Sequence, residues 1–158
     1  MNALQAWAEQ AEWGTKNLVH NLDFIPDNKL DWKPTPEATS ALEVVQHLVG
    51  AFAHITSGMR KSYGEENVPE PAAMEKPANR EEAKQQLETV LQDYLSLLQR
   101  VKLEDLGNIV PSPMGAMPFW FLLQMPPIDA IHHHGQISYI QMLLGDAESH
   151  FDMSLLPS

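Results

Sequence analysis

The chain has 158 residues, 44% of them hydrophobic and 8% aromatic, enough for the core of one domain spanning residues 1–158. Acidic residues outnumber basic ones by 21 to 10, for a formal net charge of -11, which argues against a nucleic-acid or anionic-membrane partner, because phosphate binding needs a basic face. The lack of cysteine excludes disulfides, thiolate ligands and a cysteine nucleophile. The polar start MNALQAWAEQAEW is unlike a signal peptide, and no apolar run approaches the ~20 residues of a membrane span. These features predict a cytoplasmic protein.

Helical periodicity runs through most of the chain. A first helix is expected from about Leu4 to Leu22, with Trp7, Ala11, Leu18 and Leu22 near one face. FIPDNKLDWKPTPEAT then breaks it at Pro26, Pro34 and Pro36. In SALEVVQHLVGAFAHITSGMRKSYG, Ser40 and Glu43 form a capping-box pattern ahead of the stripe Leu42, Val45, Leu48, Phe52 and Ile55. After the Pro-rich acidic linker EENVPEPAAMEKPA, Asn79 and Glu82 predict the same device at the start of a third helix. That helix carries Leu87, Val90, Leu91, Tyr94, Leu97 and Leu98 and ends near Arg100. LEDLGNIVPSPMGAMP reads as a loop. A last helical region runs from about Phe119 to Leu144 and stops at Gly145, with Pro126 and Pro127 expected to kink it or to mark its true start. No alternating strand pattern or internal repeat stands out. The expected architecture is an all-α four-helix bundle with long Pro-rich loops.

The run His132, His133, His134 invites a metal reading, but on a helix these side chains fan over about 200° and cannot share one ion. The residue one turn earlier is more telling. Ile128 precedes His132 by four and Ala130 precedes His134 by four, whereas Asp129 precedes His133. Only Asp129 and His133 therefore pair two donors on one helical face. A third donor must come from another helix, and His47 is the best placed of His20, His47, His54 and His150. His54 shares the face of His47 but lies about 10 Å further along, too far for both to reach an ion whose bonds are about 2 Å long. Taken alone, this spacing also fits ordinary hydrogen-bonded or surface histidines.

Two stretches carry a family resemblance. LDFIPDNKLDWKPTPEATSALEVVQHLVGA resembles the first loop and histidine-bearing helix of the DinB/YfiT-like superfamily of metal-dependent four-helix bundles. HHHGQISYIQMLLG is similar to its closing signature, usually His-His-Arg-Gly-Gln followed by an apolar stretch and Leu-Gly. The resemblance implies a metal triad falling on His47, Asp129 and His133. Asp129 stands where histidine is usual, and His134 takes the place of the arginine. A set of two histidines and one carboxylate suits zinc, nickel, iron(II) or manganese.

Gln136, seven residues from Asp129 and three from His133, lies on the same stripe, either as a partner of a ligand or in an interhelical hydrogen bond. Glu43 has a simpler role as a cap than as a fourth ligand. Gly135 suggests close helix packing. Phe119, Trp120 and Phe121 suit the core better than a pocket wall, and VPSPMGAMP has the composition of a loop that could act as a lid. The resemblance implies a divalent-metal-dependent enzyme acting on a small molecule, with S-transfer from a low-molecular-weight thiol as one chemistry and hydrolysis as another. The competing expectation is a non-catalytic binding bundle with a degenerate metal site. Superfamily members often resemble homodimers, and the tail FDMSLLP could cover a partner or its own bundle.

Overall fold

The computed structural model describes residues 1–68, 74–112 and 114–156, so the middle of the Pro-rich linker and Pro113 lie outside the described residues. Four helices dominate: α1 (Ala3–Leu22), α2 (Ala41–Ser62), α3 (Arg80–Leu98) and α4 (Phe119–Leu143). They pack in the cyclic order α1, α4, α2, α3, so α4 is flanked by α1 and α2. No helix among the described residues is long and apolar enough to cross a membrane.

The helix starts follow local chemistry. Ser40 Oγ accepts from Glu43 N while Glu43 Oε2 accepts from Ser40 N, which satisfies two backbone donors left free at the start of α2. Asn2 and Gln5 close the same reciprocal pair ahead of α1. At α3 only half of the expected device forms. Asn79 Oδ1 accepts from Glu82 N, but Glu82 Oε2 accepts from Ala78 N, one residue before the cap. The predicted stripes of α2 and α3 are buried, except that Val90 is only half-buried.

The segment before α4 is not a plain loop. It contains a 3-10 turn at Leu103–Gly107 and a short antiparallel pair, β1 (Ile109–Val110) with β2 (Met117–Pro118), in register Ile109 to Pro118 and Val110 to Met117. Two residues per strand are too few to show alternation in a sequence. This pair delivers the chain to the start of α4, where Phe119 N donates to Asn108 O.

Pro126 and Pro127 neither begin nor interrupt α4, which is continuous from Phe119. The tertiary structure compensates for one of the missing donors. Pro127 has no N–H to offer Leu123 O, and Tyr94 Oη, from α3, donates to that carbonyl at 2.6 Å. Tyr94 is fully buried and stands edge-on to Phe52 at 5.6 Å.

Two glycines have opposite roles. A Cβ on Gly14 of α1 would lie 3.2 Å from Ala130 Cβ and 3.3 Å from Ile131 N, so α1 and α4 approach closely there. A Cβ on Gly135 would meet nothing within 4 Å, so the expected close packing at Gly135 is absent and the residue is exposed. Gly135→Ala should therefore raise stability by about 1 kcal/mol through helix propensity. Gly14→Ala should lower stability by roughly the same amount, because backbone and Cβ atoms cannot move aside. Chemical denaturation of the two variants checks both signs.

The C-terminal tail covers its own bundle. Phe151 stands edge-on to Trp13 at 4.9 Å, and Asp152 N donates to Asn17 Oδ1 at 2.8 Å.

Candidate metal centre

α2 and α4 bring His47, Asp129 and His133 together. The i,i+4 spacing stacks Asp129 and His133 on the face of α4 turned toward α2, and His47 lies opposite on α2. His133 Nε2 is 3.5 Å from Asp129 Oδ1, and His47 Nε2 is 3.9 Å from Asp129 Oδ2. One donor atom from each of the three lies within 4.8 Å of the others. Two donors on one tetrahedral ion sit roughly 3.3 Å apart, so the cluster is close to a coordinating spacing. The site opens to solvent on the α2 side: the His47 side chain is 63% exposed, against 24% for Asp129 and 8% for His133. His47 is thus at the rim of the bundle rather than in its interior.

His133 carries the most specific signal. Its Nδ1 donates to Gln136 Oε1 at 2.7 Å, because a carboxamide oxygen can only accept. In the neutral ring this places the lone pair on Nε2. That atom is buried and has no hydrogen-bond partner; its 3.5 Å approach to Asp129 is an electrostatic contact only. A buried polar atom without a partner is costly, and a cation held by the same three residues would relieve that cost. The donor set and its geometry therefore fit a divalent ion. Gln136 is thus the hydrogen-bond partner of His133, and its Nε2 also lies 3.4 Å from His132 Nε2.

The family model for the DinB superfamily matches residues 10–137. The chain belongs to the DinB superfamily. Among solved structures it is similar to a conserved protein from Enterococcus faecalis, with a TM-score of 0.74 and 16% identity over 92% of this chain and 99% of that one. A DinB-like protein from Bacillus cereus aligns with a TM-score of 0.68 and 24% identity over 90% of each chain. A DinB-like protein from Bacillus subtilis aligns with a TM-score of 0.62 and 17% identity over 91% of this chain and 97% of that one. These likenesses show the four-helix fold. No curated protein matches the chain.

Electrostatics couple the two α4 donors of this DinB-superfamily chain. Burial alone would raise the Asp129 carboxyl, but the adjacent His133, with His47 and His132, outweighs it and holds the group below its ordinary value. Burial alone would lower the His133 imidazole, but Asp129 and Gln136 outweigh it and raise the group above its ordinary value. The signs follow from linkage. The raised His133 stabilises the metal-free fold fully below about pH 6.5 and loses that contribution as pH rises through its folded value. The lowered Asp129 contributes above the ordinary carboxylate range and loses its share as pH falls through its depressed value. A divalent ion bound at His133 would have to displace the imidazole proton. Zinc affinity should therefore begin to fall on acidification at a pH above the ordinary histidine value, and calorimetry across pH 5 to 8 would show the onset.

The other candidates lie elsewhere. Glu43 is held by Ser40 and by Lys33 Nζ at 2.6 Å. His134 points to α1, with Nε2 donating to Asn21 Oδ1 at 3.2 Å. Burial lowers its imidazole below the ordinary value. Asn21 in turn donates to Gln141 Oε1 at 2.9 Å, and Gln141 Nε2 donates to Glu148 O at 3.0 Å, so His134 belongs to the network that ties down the tail. His150 stacks on Phe24 at 3.4 Å, and His20 is half-buried with its ring 5.1 Å from Phe24. Phe119 is core, whereas Trp120 and Phe121 are exposed. The walls beside the donors come instead from Ala51 and Ile55 on α2 and from Leu122, Met125 and Pro126 on α4. These residues follow His47 and precede Asp129 at helical spacing, so the same-face neighbours of the two donors would have revealed them.

Proposed function

We propose that His47, Asp129 and His133 hold one divalent transition ion and that the protein is a metal-dependent enzyme, with S-transfer from a low-molecular-weight thiol as its chemistry. The observation that carries this reading is His133 Nε2, a buried nitrogen without a hydrogen-bond partner whose lone pair is oriented by Gln136 and faces two further donors. An ion with only three protein ligands keeps a position for a small molecule and lowers the pKa of a thiol or water bound there. The protein residues do the rest. Gln136 holds the His133 tautomer, Asp129 offsets part of the ion's charge, and the exposed His47 edge leaves the site open to solvent.

A second reading, a binding bundle without turnover, draws on the carboxylate at Asp129 in place of the usual histidine and on the exposure of His47. Elemental analysis of protein purified without a chelator or affinity tag separates the two readings. About one equivalent of transition metal, followed by turnover in a thiol and electrophile screen, is the expected result. Absence of metal after reloading with zinc, nickel, iron(II) or manganese would sink the enzyme reading.

A further inference from the structure

Two of the three donors, His47 and Asp129, stand at one end of a groove of about 270 Å³ between α2 and α4. From His47 the groove continues along α2 past Ala51 to Ile55. From Asp129 it continues along α4 past Pro126 and Met125 to Leu122, and Met114 from the preceding segment completes it. His54, seven residues after His47, lies about two helical turns, or about 10 Å, further along α2. Among the described residues no lysine or arginine lines the groove. Its polar groups are therefore confined to the donor end and to His54.

This distribution restricts what can bind. A polyhydroxylated or peptide-like body laid on Ile55, Leu122 and Met125 would give up its water partners and find no protein partners in exchange. A multiply anionic body would find no fixed cation. An apolar body would bury against carbon along the whole length between the donors and His54.

We propose that the groove binds a small, apolar-bodied molecule with a single metal-seeking head, the head directed to His47, Asp129 and His133 and the body lying on Ile55, Leu122 and Met125. The head rests on the metal reading given above; the body does not.

Two titrations test the proposal separately from the metal. The first adds straight-chain hydroxamic acids, from acetohydroxamic to octanohydroxamic acid, to zinc-loaded protein by calorimetry. Affinity should rise about four-fold per methylene. Ala51→Phe, which fills the groove from a half-buried position, should flatten that rise with zinc content unchanged. Equal affinity across the series, or a rise unaltered in a folded Ala51→Phe, overturns the proposal, and the wild-type series suffices if the variant does not fold. The second adds 1-hexanol to metal-free protein and follows methyl resonances by NMR. Shifts at Ile55, Met114, Leu122 and Met125, without shifts at exposed Met1 and Met153, are expected. Their absence overturns the groove whatever the metal content. Their presence in a protein that never takes up zinc would sink the metal reading and keep the apolar site.

Discussion

His133→Ala should lose the bound ion, with zinc affinity weakened by more than about 100-fold. The bound rests on a comparison: removing only the outer partner of a ligating histidine typically costs 10–100-fold, and here a coordinating nitrogen goes altogether. What remains is Asp129 on α4 and the largely exposed His47 on α2, two donors on separate elements. Gln136→Leu should fall in the 10–100-fold range. It keeps the nitrogen but removes the Oε1 acceptor, 2.7 Å from Nδ1, that holds the ring's tautomer. The pair of variants therefore grades the site, with the Gln136 variant intermediate. Competition against a zinc chelator gives the affinities, and elemental analysis gives the content. Wild-type zinc content in His133→Ala would remove the ion from this cluster. Circular dichroism should show unchanged helicity in both variants, since neither residue is part of the apolar core.

Tyr94→Phe should lower stability by about 1–3 kcal/mol, the cost of leaving a buried acceptor unsatisfied. The phenol is fully buried, and burial pushes its pKa far above the ordinary range, so it remains a donor at every accessible pH. Its acceptor is Leu123 O, the carbonyl that Pro127 cannot serve. Phenylalanine preserves the ring packing against Phe52 and removes only the hydroxyl, which isolates the hydrogen bond. For a chain of this length each kcal/mol moves the midpoint by about 2–4 °C, so thermal unfolding resolves the effect. A midpoint within error of wild type would mean that Leu123 O has another partner. Restoring the missing backbone donor with Pro127→Ala should make the loss in Tyr94→Phe smaller, and a double-mutant cycle measures that coupling.

Much of the fold was legible because it depends on local pattern. The Ser40–Glu43 box and the stripes of α2 and α3 rest on side chains and backbone groups within one or two turns of each other, so residue order is sufficient information. The same holds for the Asp129 and His133 pairing, which is a consequence of helical spacing. The errors share a cause. The partner of Leu123 O is Tyr94, on another helix, and no rule about proline within a single helix could supply it. Gly135 suggested a close approach, yet the close approach of α4 occurs at Ala130 and Ile131 against Gly14 of α1. Glu82 had two backbone N–H groups in reach, and the chain's path into α3 decided between them. The β1–β2 pair is too short to leave a periodic signature.

By itself, the sequence determined the four helical regions, the buried stripes of α2 and α3, the negative charge and the one donor pair that a single helix can align, because each of these follows from composition or from spacing along the chain. Only the tertiary structure decided that His47 meets that pair and that His134 turns away to Asn21. It alone left His133 Nε2 buried without a hydrogen-bond partner, and it alone brought Met114 to the groove between α2 and α4. The physical reason is that these outcomes depend on how α2 and α1 are set against α4, and interhelical placement comes from the packing of the whole core rather than from the order of residues in any one helix.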